Sequence, residues 1–207
     1  EYDSGLGQWL VYHLSGATFF FSSIAGISLY SASFGSGNPL WSRTVAGVVI
    51  LGTIFTINPF GNSDPSMAID MLGLTSAELI LSHQDNVAGS FLMALAIIPI
   101  IALSSNILIT LRGTDIFVEN PDSAGIPEIN FGAWMLLPLG VASLFIQTDT
   151  LSGTNELVGI SNIVHLMVIW TILIPLSMGA AIQVLPSVSG RYPLSQNRAR
   201  LAFWMIS

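Results

Sequence analysis

Leu157-Val158-Gly159-Ile160-Ser161-Asn162-Ile163-Val164-His165-Leu166-Met167-Val168-Ile169-Trp170-Thr171-Ile172-Leu173-Ile174-Pro175-Leu176-Ser177-Met178-Gly179-Ala180-Ala181-Ile182-Gln183-Val184-Leu185 contains no aspartate, glutamate, lysine or arginine. A helix needs about 20 apolar residues to cross the hydrocarbon core of a bilayer, so this stretch is long enough to span by itself. Five other stretches read the same way, at 8–34, 41–60, 87–111, 131–146 and 199–207. The last breaks off inside an apolar run at Phe203-Trp204-Met205-Ile206-Ser207, as a fragment or a reduced subunit would. A further stretch, 67–82, is apolar but carries Asp70 and Glu78, and reads as an interfacial or re-entrant helix. The expected fold class is all-α: a polytopic transmembrane helix bundle of about six spanning helices plus one interfacial helix, a single integral membrane domain over 1–207. The opening Glu1-Tyr2-Asp3 has no basic n-region and does not read as a signal peptide.

Composition agrees. Hydrophobic residues make up 52% and charged residues 8%, with a mean hydropathy of +0.72, whereas an average soluble domain is about 25% charged. The five basic residues, all arginine, stand against twelve acidic ones. No basic block could neutralise phosphates, which excludes nucleic acid as a partner. With no cysteine, disulfides, thiolate metal sites and thiol catalysis are excluded too. A metal or cofactor would have to be held by histidine, methionine or oxygen.

If 67–82 does not cross, the loops carrying Arg43, Arg112 and the group Arg191, Arg198 and Arg200 all fall on one side, as the positive-inside rule requires. Asp115, Glu119, Asp122 and Glu128 share that side, and the other eight carboxylates make the opposite face acidic. Such a face suits a basic electron carrier, a cytochrome or a cupredoxin.

The two ends of the chain share a layout. His13-Leu14-Ser15-Gly16-Ala17-Thr18-Phe19-Phe20-Phe21 leads down one apolar helix to Ser36-Gly37-Asn38-Pro39-Leu40-Trp41-Ser42-Arg43. His165-Leu166-Met167-Val168-Ile169-Trp170 leads down another to Ser189-Gly190-Arg191-Tyr192-Pro193-Leu194-Ser195-Gln196. His13 precedes Gly37 by 24 positions, His165 precedes Gly190 by 25, and each glycine precedes its serine by five. A Ser-Gly stop followed by a serine that caps the next helix explains the turns. It does not explain the paired histidines. Histidine inside a membrane helix is rare and usually faces the bundle interior; two at one depth could ligate a flat cofactor between them, or each could bond a neighbouring helix.

Met178-Gly179-Ala180-Ala181-Ile182-Gln183-Val184-Leu185-Pro186-Ser187-Val188-Ser189-Gly190-Arg191, with Ala199-Arg200-Leu201-Ala202-Phe203-Trp204, resembles helix ten and the start of helix eleven of the haem–copper oxidase superfamily catalytic subunit, which includes the cytochrome c oxidase and nitric oxide reductase branches. Ala102-Leu103-Ser104-Ser105-Asn106-Ile107-Leu108-Ile109-Thr110-Leu111-Arg112-Gly113 is similar to the end of helix eight in the cbb3-type branch, and 13–42 is similar to helix two and its turn. The resemblance implies that His13 and His165 are the axial ligands, hence the metal-binding residues, of a low-spin b-type haem. It also implies a place in the respiratory chain of an energy-transducing membrane, bacterial or archaeal plasma membrane or mitochondrial inner membrane, among other membrane subunits. The departures are specific. The family's His-x-His pair is reduced to His165, with Ile163 where the second imidazole would stand, and the match needs a one-residue shift against the Met-Gly and Pro landmarks. The copper site needs three further histidines, and only His83 remains. Oxygen or nitric oxide reduction is therefore not expected of this chain, and no catalytic residue is assigned.

Other features are weaker. His83-Gln84-Asp85 reads as an exposed polar turn, and Asp70 and Glu78 as the wet face of the interfacial helix or the start of a proton path. Pro99, Pro138 and Pro175 are expected to kink their helices and Gly26, Gly47 and Gly179 to let helices approach closely. The stretch 115–128, with Pro121 and Pro127, reads as a solvated loop. Three functions follow as expectations: an electron-transferring membrane subunit with one bis-histidine haem, a cofactor-free structural or assembly subunit, or a transporter.

Overall fold

Hydroxyl groups on these apolar helices bond their own backbone. Ser28 donates to the Ile24 carbonyl (2.6 Å), Ser36 to Ala32 (2.6 Å), Thr148 to Leu144 (3.0 Å) and Thr171 to Met167 (2.6 Å). The computed structural model describes residues 19–55, 91, 94–114, 124–154, 156–190, 198, 201 and 203–205. Its elements are α1 (Phe19–Ser36), α2 (Arg43–Phe55), α3 (Ile97–Thr110), α4 (Ile126–Ser152), α5 (Val158–Val168), a π-helical turn (Ile169–Leu173) and α6 (Ile174–Ser189). No strand occurs among the described residues.

The all-helical class thus stands. Two helical stretches, Ile126–Asp149 and Leu166–Ser189, are long and apolar enough to cross a membrane, while α2 and α3 have 13 and 14 residues. The expected stretch 131–146 extends to Ile126–Ser152. The interfacial stretch 67–82 and the segment 1–18 lie outside the described residues.

α4 packs against α1, α3, α5 and α6, and the side chains buried deepest include Leu103, Ile107, Ile129, Leu136 and Leu176. Leu51, Phe145, Trp170 and Leu185, by contrast, are each more than half exposed. An outer surface this rich in large apolar side chains is what a lipid-facing or partner-facing bundle presents.

Where helices touch most closely, glycine is at the contact. A Cβ on Gly179 would lie 2.5 Å from the Gly125 carbonyl oxygen, and one on Gly52 would lie 2.7 Å from the Pro99 ring. Gly26 and Gly47 correct the expectation made for them: nothing lies within 4 Å of a Cβ at either. The prolines also divide. Pro138 sits inside α4, which runs on through it. Pro99 lies in the first turn of α3, where the missing amide hydrogen matters least, after a break at Ala96. Of the three, only Pro175 is accompanied by a change of helix type.

The helices alternate in direction. The α1–α2 turn is bonded to the end of α3 by Asn38 and Trp41, and Ile126 at the start of α4 lies against Gly35. Arg43 and Arg112 therefore sit at one end of the bundle, and Asp149 and Glu156, at the α4–α5 connection, at the other. Single cysteines beside Arg112 and Arg191 should be labelled from the same side of sealed vesicles, and one beside Asp149 from the opposite side. Opposite labelling of the first two would overturn this arrangement.

Candidate functional site

α1 and α6 continue the two segments that begin with the paired histidines, and they pack side by side. Ile24, Tyr30, Ser177 and Leu185 line one groove of about 370 Å³, and Gly35 near the end of α1 lies against Gln183 near the end of α6, so the helices run in the same direction. Gly26, Ala180 and Ala181 form part of its lining. Nearer the helix ends the absence of a side chain at Gly35 is required, since a Cβ there would collide with the Gln183 amide and lie 2.6 Å from Ile126 Cδ1. Both helices end at a glycine in the left-handed region, Gly37 at φ 68° and Gly190 at φ 63°, a conformation that stops a helix cheaply only at glycine.

Position 165 belongs to α5. On that helix Val164 and Val168 are buried, while Ile163, Leu166 and Met167 are exposed. Met167 therefore faces outward. His13, His83, Asp70 and Glu78 lie outside the described residues. Among the described residues no three of histidine, cysteine, aspartate and glutamate gather as a metal site. A haem held by two axial imidazoles needs no such cluster.

The most developed polar cluster is one the sequence did not single out. Asn106, fully buried on α3, donates from Nδ2 to the Ser42 carbonyl (2.9 Å) and accepts the Ser42 amide at Oδ1 (3.3 Å). One turn on, Thr110 Oγ1 accepts the Trp41 amide (3.1 Å) and donates to the Asn106 carbonyl (2.6 Å). Asn38 Nδ2 donates to the Thr110 carbonyl (2.9 Å). Ser42 also caps α2, accepting the Val45 amide at 3.2 Å, as its place after the Ser-Gly turn implied. Together these bonds clasp the α1–α2 turn to α3. The arrangement reads as structural, since these bonds all run within the chain.

Two carboxylates complete the picture. Glu128 was expected in a solvated loop; instead it is 1% exposed in the first turn of α4, and neither carboxyl oxygen has a hydrogen-bond partner among the described residues. The loop reading fails for 126–128, because Pro127 sits at the second position of α4, where its missing donor is harmless; 115–123 lie outside the described residues. Asp149 accepts the Leu157 amide (2.8 Å) and the Thr154 hydroxyl, closing the turn into α5.

These features define a class no narrower than an all-helical apolar bundle with two helices long enough to cross a membrane. No family model matches the chain, and neither a curated protein nor a solved structure is found similar to it.

Proposed function

We propose that this chain is a membrane subunit of a respiratory-type electron-transfer complex, resembling a reduced haem–copper oxidase core, in which His13 and His165 ligate one low-spin b-type haem. One observation carries the reading: the parallel packing of α1 against α6, the continuations of the two histidine segments. Bound there, the haem would supply one-electron transfer. The chain's part is to hold two imidazoles on rigid helices and to surround them with apolar side chains, the two levers that tune an iron centre from the protein side. The end of the bundle that carries Asp149 and Glu156 would face a basic carrier, and the arginine end the inner compartment of an energy-transducing membrane.

An absorption spectrum of the purified chain, reduced against oxidised, is the test. Sharp bands of a six-coordinate haem are the expected result. A preparation that takes up no haem during expression or reconstitution sinks the proposal and leaves a cofactor-free structural subunit.

A further inference from the structure

The rod from Val158 to Ser189 is interrupted by five residues of π-helix, Ile169–Leu173, in which the Ile174 amide donates to the Ile169 carbonyl five residues back. Pro175 accounts for its place. Proline has no amide hydrogen to give the Thr171 carbonyl, and its ring needs room there. A π-turn supplies that room by holding one residue more than an α-turn.

That extra residue has a counterpart in the spacing. His165 precedes the left-handed Gly190 by 25 positions, and His13 precedes the left-handed Gly37 by 24. In an unbroken α-helix one added residue turns everything before it by about 100°. We propose that the π-turn absorbs the added residue and so turns position 165 from the α4 side of the rod to the α1 side, making Pro175 and Ile169–Leu173 a positioning device for the histidine.

The directions can be worked out from α6. Leu176 and Gly179 face α4, where they meet Gly132 and Gly125. Ser177, Ala181 and Val184 face α1 across the groove. Counted back eleven residues on a continuous α-helix, position 165 would point within about 20° of Leu176, toward α4. With one residue taken up by the π-turn it is turned by about 100° and stands about 80° from Leu176, in the direction of Val184, toward α1. Burial on α5 supports the shifted register independently. The shift brings Val164 to the α4 side and leaves Ile163 and Leu166 outside; Val164 is 7% exposed, Ile163 56% and Leu166 49%. A continuous α-helix would have turned Val164 outward.

The consequence for the cofactor rests on the haem reading; the register does not. The test uses the full chain, which has no cysteine of its own, with a nitroxide attached to single cysteines at 163, 164, 166 and 168. The label should be immobile at 164 and 168 and mobile at 163 and 166. Deleting Thr171 should convert the π-turn to α-helix, leave that pattern unchanged, and keep the low-spin haem band and its reduction potential at the intact protein's values. A label at 164 as mobile as that at 163 in the intact chain overturns the proposal, whether or not the deletion variant folds. So does a deletion variant in which the two patterns exchange. An intact chain that binds no haem defeats the functional reading alone, because the nitroxide pattern still decides the register.

Discussion

His13→Ala and His165→Ala are each expected to abolish the low-spin haem spectrum entirely, while His83→Ala leaves it intact. Low-spin iron requires two strong axial ligands, and this chain has three histidines and no cysteine to offer. Removing one imidazole leaves the iron five-coordinate or bound by a weaker ligand, and either changes the spin state rather than merely the amplitude. Methionine is the one other soft donor. Met178 lies thirteen positions beyond His165, too far along the rod to reach the same iron, and Met167 faces outward. A His/Met pair would also raise the reduction potential relative to two imidazoles, so a potentiometric titration of the intact chain separates the two ligand sets. Survival of the low-spin band in His13→Ala or His165→Ala would falsify the ligand assignment.

Asn106→Leu should be strongly destabilising although the residue is remote from the histidines. Leucine fills nearly the same volume but removes both bonds to Ser42. The Ser42 carbonyl keeps the Ala46 amide as a partner, whereas its own amide loses the acceptor seen here. An orphaned buried donor costs about 1–3 kcal/mol, and the bond lost from the carbonyl adds about 1 kcal/mol. For a chain of this size a loss on the order of 2–4 kcal/mol lowers Tm by roughly 5–15 °C. Asn106→Asp, neutral in this buried place, keeps the acceptor and can donate its hydroxyl to the Ser42 carbonyl, and should lose less. Thermal unfolding in detergent measures both, and an unchanged Tm in Asn106→Leu would show that the clasp contributes nothing.

What could be read in advance followed from local rules. Unbroken apolar length located the stretches that became α4 and the α5–α6 rod, and the Ser-Gly turns gave the ends of α1 and α6 and the cap at Ser42. Features that depend on a distant neighbour could not be read this way. Gly26 and Gly179 look alike in sequence, yet only Gly179 meets another helix's backbone. Asn106 sits in an apolar run with nothing to announce that its partner lies 64 residues earlier. Pro127 reads locally as a loop residue, although proline followed by an acidic residue is also how helices begin, and the buried place of Glu128 follows from the second reading. The paired histidines were legible as a pattern, but Pro175 announced a kink without its kind. The π-turn depends on how the freed carbonyls are rearranged, and composition does not encode that.

The two side-chain ties at opposite ends of the bundle also differ in when they can form. Asp149 reaches an amide only eight residues away, whereas Asn106 reaches back 64. Closing a longer loop carries a larger entropy loss, and contacts between distant parts of a chain form slowly. The α4–α5 hairpin can therefore assemble as soon as both of its arms exist. The α1–α2 turn must wait until α3 has been made. During synthesis the first pair of helices remains unclasped while the chain between them and α3 is added.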